Sequence, residues 1–173
     1  AKNNPEEQVN NHIVKEHNGY FPIEINALPE GTVIPVGTPF ATVYNLDPKA
    51  YWVTTMIETV FLSYVWSHVS IATLVREMKK KLKFWNDKTS PGFEGIDYQL
   101  HNFGDRSAKP GFAKTAGTMH LISFNGTDCV AASRHIYNLY DEKDKVFGVS
   151  VPASEHSIST SWGPNREKDY VLH

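Results

Sequence analysis

Alternating apolar and polar side chains mark the first section of the chain as strand-rich, and a change of period near Asp47 marks the start of helix. Pro22-Ile23-Glu24-Ile25-Asn26-Ala27 alternates as a half-buried strand does. Leu28-Pro29-Glu30-Gly31 is turn chemistry, with proline presetting φ and glycine free to take positive φ. A short strand from Thr32 to Pro35, the Gly37 turn and a strand from Phe40 to Tyr44 then complete an antiparallel meander. This section, residues 1–46, is expected to be a small β-rich unit read as short strands and turns.

At Asp47-Pro48 a capping acceptor precedes a proline, the signature of a helix start. From Tyr51 to about Trp66 the chain is apolar almost all round, which predicts a fully buried helix. A second helix is predicted from Val69 to Trp85, with Ile71, Leu74, Val75, Met78, Leu82 and Trp85 in one stripe. Arg76, Glu77, Lys79, Lys80, Lys81 and Lys83 fill its other face, which reads as a solvated surface.

Beyond a loop from Asn86 to Gly95 the pattern turns to strand and helix in alternation. Strands are predicted at Tyr98–Phe103, His120–Phe124 and Val146–Val151. A short Ala/Gly-rich segment follows the first, a helix from Cys129 to about Tyr140 the second, and a helical stretch ending near Trp162-Gly163 the third. Strand-loop-helix units in series imply parallel strands with crossover helices. Residues 47–173 therefore read as two long helices followed by three such units of an incomplete α/β barrel. A closed (β/α)₈ barrel needs about 250 residues, so three units leave strand edges for more chain or another polypeptide to cover.

Composition narrows the function classes. The 173 residues are 40% hydrophobic and 21% charged, which suits a folded core. A formal charge of -2 and a pI near 6.5 give no electrostatic reason to expect nucleic acid or an anionic membrane as partner. No apolar run approaches the roughly 20 residues of a membrane span, and Ala1-Lys2-Asn3-Asn4-Pro5-Glu6-Glu7 lacks the basic and then apolar blocks of a signal peptide. Cys129 is the one cysteine, so no intrachain disulfide forms and a cytoplasmic location is expected. The eight histidines lack zinc spacing, His12 and His17 lying five apart, and no metal-ligating set is predicted. Neither a G-x-x-x-x-G-K-[ST] loop nor a G-x-G-x-x-G motif is present.

In parallel α/β folds functional groups collect on the loops after the strand ends. Here those loops carry Phe103-Gly104-Asp105-Arg106, Gly126-Thr127-Asp128 and Ser154-Glu155-His156-Ser157. A ring, a guanidinium, a carboxylate and an imidazole on one rim suit a flat heterocycle beside an anion. Each residue also fits a structural part: Phe103 in the core, Arg106 in a surface ion pair, Asp128 as a helix cap, His156 in packing.

Ordered blocks from Gly19 to Asp169 resemble the nicotinamide phosphoribosyltransferases, type II phosphoribosyltransferases. They include Gly19-Tyr20-Phe21-Pro22-Ile23-Glu24-Ile25, Leu28-Pro29-Glu30-Gly31-Thr32-Val33-Ile34-Pro35, Tyr51-Trp52, Ile57-Glu58-Thr59 and Ala72-Thr73. His101-Asn102-Phe103-Gly104 with Arg106, and Phe124-Asn125-Gly126-Thr127-Asp128, continue the series. Ser150-Val151-Pro152-Ala153-Ser154-Glu155-His156-Ser157, Trp162-Gly163 and Glu167-Lys168-Asp169 complete it.

The resemblance implies an enzyme of NAD salvage, a pentosyltransferase that joins nicotinamide to phosphoribosyl pyrophosphate, giving nicotinamide mononucleotide and pyrophosphate. It further implies Mg²⁺ with the phosphoribosyl donor, ATP as an optional phosphoryl source, and a homodimer of the complete protein. By position Phe103 matches the ring that stacks on nicotinamide, and Arg106 the cation at the amide carbonyl and phosphates. Asp128 matches the acceptor of the amide N–H, and His156 the histidine beside the phosphates that ATP phosphorylates. Asp128 and His156 are therefore the expected catalytic pair. The loop Ser107-Ala108-Lys109-Pro110-Gly111 departs from the family pattern, as does Asp105, where the family often has an aromatic residue. These departures leave open a binding or scaffold relative without catalysis; a nicotinate phosphoribosyltransferase is a further alternative. The isolated chain is expected to be inactive or nearly so.

Overall fold

The computed structural model describes residues 5–109, 111–141 and 144–173. The expectation at Ala1-Lys2-Asn3-Asn4, and Pro110 within the divergent loop, lie outside the described residues. The chain falls into two compact units, Ala1–Trp66 and Ser67–His173.

The first unit opens on a helix that the strand reading of residues 1–46 did not contain. Helix α1 spans Pro5–His17. Lys15 and His17 in its last turn match the C-terminal end of the helix dipole. Few apolar positions mark a face, which is why hydrophobic periodicity passed over it. Asn18 adopts a left-handed conformation (φ 52°) at its end, and Gly19 N donates to Ile13 O at 3.1 Å.

Strands β1 (Ile23–Ala27) and β2 (Ala41–Asn45) pair antiparallel, with Ile23 opposite Asn45 and Ala27 opposite Ala41. The expected strand at Thr32–Pro35 is absent. Two turns occupy the connection, closed by Thr32 N to Pro29 O and Thr38 N to Pro35 O, each 3.2 Å. Gly31 and Gly37 sit at positive φ in them, so backbone that would have entered a meander is spent on turns.

Asp47 caps as expected: its side chain accepts from Lys49 N at 2.8 Å, at the head of a short 3-10 helix, Pro48–Ala50. Helix α2 then runs unbroken over Val53–Thr89, where the sequence suggested two helices. No glycine or proline lies between those residues, so nothing terminates the helix at Ser67-His68. Ser90-Pro91-Gly92 ends it, with Gly92 at φ 85°.

Ile13, Ala50 and Val53 form the buried core of this unit, with Ile23 and Trp52 against them. The stretch Tyr51–Trp66 is not the buried helix its composition predicted. Met56, Val60 and Leu62 are exposed, and Tyr64 and Trp66 are more than 70% exposed. An apolar composition drives burial only where another surface is available to cover it.

In the second unit, α3 spans Phe112–Leu121 and α4 spans Val130–Tyr140. The two pack closely: a Cβ added at Gly117 would fall onto the Ala132 side chain. Leu121, Cys129, Ala132, Ile136 and Phe147 make the core, with Tyr137 and Tyr140 against it. Helices α5 (His156–Ser161) and α6 (Glu167–Leu172) follow.

The stripe predicted on the later part of α2 is only partly covered: Val75 is buried, whereas Leu74 and Trp85 are about half exposed. Its lysine-rich face is solvated through Lys80–Glu77 and Lys83–Asp87 pairs, as expected. Lys79 is the exception. It reaches Asp97 at 2.6 Å, donates to Ser123 O and lies 5.4 Å above the Phe124 ring.

His120–Phe124 is not a strand. α3 runs through Leu121, and the parallel pairing begins one step later. Asn102 bridges Thr127 and Gly126 bridges Val149, both in parallel, so the second segment lies between the first and the third. The hydrogen bonds run Asn102 N to Gly126 O (3.1 Å), Asp128 N to Asn102 O (3.1 Å), Thr127 N to Val149 O (3.1 Å) and Val149 N to Asn125 O (2.8 Å). The parallel order of three segments therefore holds, as isolated bridges and not as full strands. Among the described residues the fold is mixed α/β with a two-stranded antiparallel sheet, and no barrel is formed. No helix among them is long and apolar enough to cross a membrane.

Displaced from any strand, His120 becomes a core residue. Its Nε2 lies 2.9 Å from Gly126 O and its ring stacks on Phe124 at 5.4 Å. Burial, the largest influence, pushes its pKa below the ordinary 6.5, and the bond to Gly126 opposes this. The unfolded chain protonates His120 near the ordinary value, while the folded chain resists protonation until lower pH. Stability from this group is therefore complete above about pH 6.5 and is lost as pH falls below it toward the folded-state value. Melting temperature should drop between pH 7.5 and pH 5.5, and His120→Gln should drop less over that interval. Equal drops in the two proteins would contradict the assignment.

Candidate functional site

The parallel bridges bring the ends of three segments side by side, and side chains with chemistry collect there. Asp128 follows the second segment. It does not cap α4, whose first turn is opened by Cys129 without a side-chain cap. Thr127 performs the local work instead, its Oγ1 accepting from Cys129 N at 3.0 Å. The Asp128 carboxylate is thus free to face the neighbouring segments. Ser150 Oγ, on the third, donates to its Oδ1 at 2.8 Å. His101 Nε2, on the first, lies 3.3 Å from the same oxygen.

These neighbours hold the Asp128 carboxyl below the usual carboxylate range, Ser150 having the largest influence and His101 the next favourable one. The group is a solvent-reachable carboxylate at neutral pH. It can accept hydrogen bonds from an amide or another N–H donor.

Phe103 is linked to it through His101. Its ring centroid lies 4.5 Å from that of His101 with the planes tilted by 38°, and the residue is half exposed. Among the described residues Phe103 is not part of either buried core cluster. One face-bearing aromatic ring open to solvent next to a carboxylate is suited to a flat, amide-bearing heterocycle.

His101 links the two, although the sequence marks it only as part of a family-like block. Residues two apart on a strand share a face, so His101 was the neighbour to expect beside Phe103. Its side chain is 10% exposed. The 3.3 Å approach to Asp128 is within ion-pair distance but lacks hydrogen-bond alignment, and neither ring nitrogen makes a hydrogen bond. The ring is boxed by backbone: a Cβ at Gly126 would come within 2.7 Å of its Nδ1. Glycine at 126 is what leaves room for this imidazole.

Arg106 and His156 are not joined to the Ser150–Asp128–His101–Phe103 group by any hydrogen bond, ion pair or ring contact among the described residues. Arg106 lies exposed on a short 3-10 helix, Gly104–Ser107, directly after Phe103. His156 is exposed at the first position of α5. The Glu155 carboxylate before it caps that helix by accepting from Ser157 N at 2.6 Å, and this bonding with Ser157 lowers its pKa. An open cleft of about 410 Å³ runs beside α3, lined by Asn102, Gly104, Ser107, Lys109, Phe112 and Gly117 among others. None of the four residues expected from sequence lines it.

Cys129 is buried below the site. Burial pushes its thiol pKa up, and its Sγ lies 3.5 Å from Asn102 O. It is a packing thiol, not a nucleophile. Among the described residues no set of three His, Cys, Asp or Glu side chains suited to a metal ion forms around Asp128.

No family model matches the chain. It is similar to curated proteins named nicotinamide phosphoribosyltransferase. Identity to the one from Xanthomonas campestris pv. campestris is 39% over 162 residues, covering 91% of this chain and 33% of that protein. The Acinetobacter baylyi protein is 38% identical over 149 residues, covering 85% of this chain and 29% of its own length. The Mycoplasma pneumoniae protein is 25% identical over 161 residues. The chain spans about a third of the length of the curated relatives it matches, consistent with a central segment.

Proposed function

We propose that this chain is the base-binding segment of a nicotinamide phosphoribosyltransferase, a pentosyltransferase of NAD salvage. One observation supports this above the others: Phe103 and the Asp128 carboxylate flank His101 at the ends of adjacent parallel segments. In the reaction, nicotinamide displaces pyrophosphate from C1 of phosphoribosyl pyrophosphate and leaves as the mononucleotide.

Phe103 stacks on the pyridine ring, and Asp128 accepts from the carboxamide N–H. Holding that amide fixes the ring nitrogen toward the ribose carbon, so the segment contributes chiefly by orientation. Arg106 adds a cation for the amide carbonyl or the phosphates. His156 lies on the phosphate side, where the γ-phosphoryl of ATP passes to a ring nitrogen, releasing ADP and the ring proton. Glu155 beside it would repel the resulting charge, so stable phosphorylation needs cations from elsewhere. Mg²⁺ would come with the phosphoribosyl donor, held by its phosphates and by water. The three parallel segments are neighbouring strands of an irregular α/β barrel in the longer protein, which acts as a cytoplasmic homodimer. The exposed apolar side chains of α2 fit this reading, since further chain or a partner subunit would cover them.

A second reading, a binding relative without catalysis, is favoured by the divergent loop Ser107–Gly111 and by the distance in contacts between Arg106 and Asp128. Calorimetry with nicotinamide and nicotinate tests the substrate class. Nicotinamide should bind the chain at least about tenfold more tightly, because a carboxylate repels the nicotinate carboxylate and partial exposure screens that repulsion. Preference for nicotinate would overturn the proposal. Turnover by the 173-residue chain should be undetectable; steady turnover would contradict its role as one segment of the catalyst.

A further inference from the structure

Outside the candidate site, the first unit assembles a second group of ligating side chains. His12 and His17 belong to α1, and Asp47 lies thirty residues beyond His17 at the head of the 3-10 helix Pro48–Ala50. Asp47 Oδ2 lies 2.6 Å from His12 Nε2 and 2.7 Å from His17 Nε2. The three ligand atoms all fall within 4.8 Å of one another. The two imidazoles meet edge to face, with centroids 5.6 Å apart.

Spacing on the helix alone gave no zinc pattern, because the third ligand comes from a distant turn. Asp47 is oriented before any ion arrives: its other oxygen, Oδ1, accepts from Lys49 N at 2.8 Å. Carboxylate ligands are commonly fixed by such outer hydrogen bonds. Side-chain exposures of 23%, 28% and 16% leave the group covered yet reachable from solvent.

We propose that His12, His17 and Asp47 form a binding site for a first-row divalent transition metal ion, with Zn²⁺ the reference ligand. Two imidazole nitrogens and one carboxylate oxygen are a ligand set that Zn²⁺, Co²⁺ and Ni²⁺ accept, with a fourth position left to water. Ligand atoms around a tetrahedral ion at about 2.0–2.1 Å stand roughly 3.3 Å apart. Seating the ion therefore needs each histidine to draw back from Asp47 by roughly 0.6 Å, a small rotation for side chains at a surface. An ion would take the place of these two hydrogen bonds, so ion and hydrogen bonds are alternative ways of holding α1 to the Asp47 turn.

The test is a titration of the full chain with Co²⁺, followed by its visible absorption, and with Zn²⁺, followed by melting temperature. One equivalent of Co²⁺ should give a saturating d–d band. Zn²⁺ at a hundredfold excess over its Kd should raise the melting temperature by roughly 5–10 °C. His12→Gln, His17→Gln and Asp47→Asn should each lose the band, while His135→Gln, on α4, keeps it. Circular dichroism checks that the variants are folded; an unfolded variant is replaced by competition between Zn²⁺ and Co²⁺ on the unaltered chain, where displacement at one equivalent is expected. Absence of the band, or a band that survives both histidine substitutions, would overturn the proposal and leave a hydrogen-bonded clamp.

Discussion

Asp128→Ala is expected to weaken nicotinamide binding by roughly 10- to 100-fold, the range for losing a hydrogen bond to a charged acceptor. The carboxylate is ionised because Ser150 donates to it and His101 stands beside it, and it is open to solvent on its remaining side. Removing it takes away the acceptor for the carboxamide N–H and also the charge that rejects nicotinate. The variant should therefore lose affinity for the amide while its preference over the acid shrinks toward unity. Asp128→Asn separates the two effects. It keeps an acceptor oxygen, so nicotinamide affinity should fall less, yet discrimination against nicotinate should fall as far. Calorimetric titrations of both ligands into the three proteins measure this, and unchanged nicotinamide affinity in Asp128→Ala would rule the carboxylate out of the site.

Phe124→Ala should be the most damaging substitution for stability, costing about 3–5 kcal/mol. Phe124 is 1% exposed and stacks on His120, whose Nε2 meets Gly126 O in the parallel bridges. Lys79 Nζ lies 5.4 Å from the Phe124 ring centroid while bonded to Ser123 O and Asp97. Truncation leaves a cavity under the segment that presents Asp128, so both the core and the site's footing are lost. Urea unfolding gives the measure, and a loss below about 1 kcal/mol would mean that the second unit repacks without this ring. Phe103→Ala makes the contrast, since a half-exposed ring should cost little stability and much ligand affinity.

Local chemistry carried some of this fold in the open. Asp47-Pro48 announces a capped start, the alternation at Ile23–Ala27 announces a strand, and the run from Cys129 to Tyr140 announces α4. Other features depended on what a residue meets in space. The break imagined near Ser67 had no glycine or proline behind it, and α2 runs straight through. His120–Phe124 has the apolar character of a strand, but α3 continues to Leu121 and the pairing moves on to Gly126 and Thr127. The all-round apolar stretch after Tyr51 predicts burial yet is largely exposed, because composition reports what a surface would prefer, not whether a covering surface is present.

The site divides in the same way. Phe103 and Asp128 were legible because parallel segments must deliver their loops to one end, and the structure connects them. His101 and Ser150, which make the connection, stand within the family-like blocks without a role attached to them; the two-residue strand period is what sets His101 beside Phe103. The cluster at Asp47 was hidden for a related reason. Its histidines have no ligand spacing by themselves, and thirty residues separate His17 from the carboxylate that gathers them.

The claim that Phe103 and Asp128 form a nicotinamide-binding face is tested most directly by nuclear magnetic resonance of the chain titrated with nicotinamide. Intermolecular Overhauser contacts are expected between the pyridine ring protons and the Phe103 ring. Shift changes should centre on His101, Phe103, Asp128 and Ser150. Contacts confined to the cleft beside Phe112, or a spectrum unmoved by saturating nicotinamide, would contradict it.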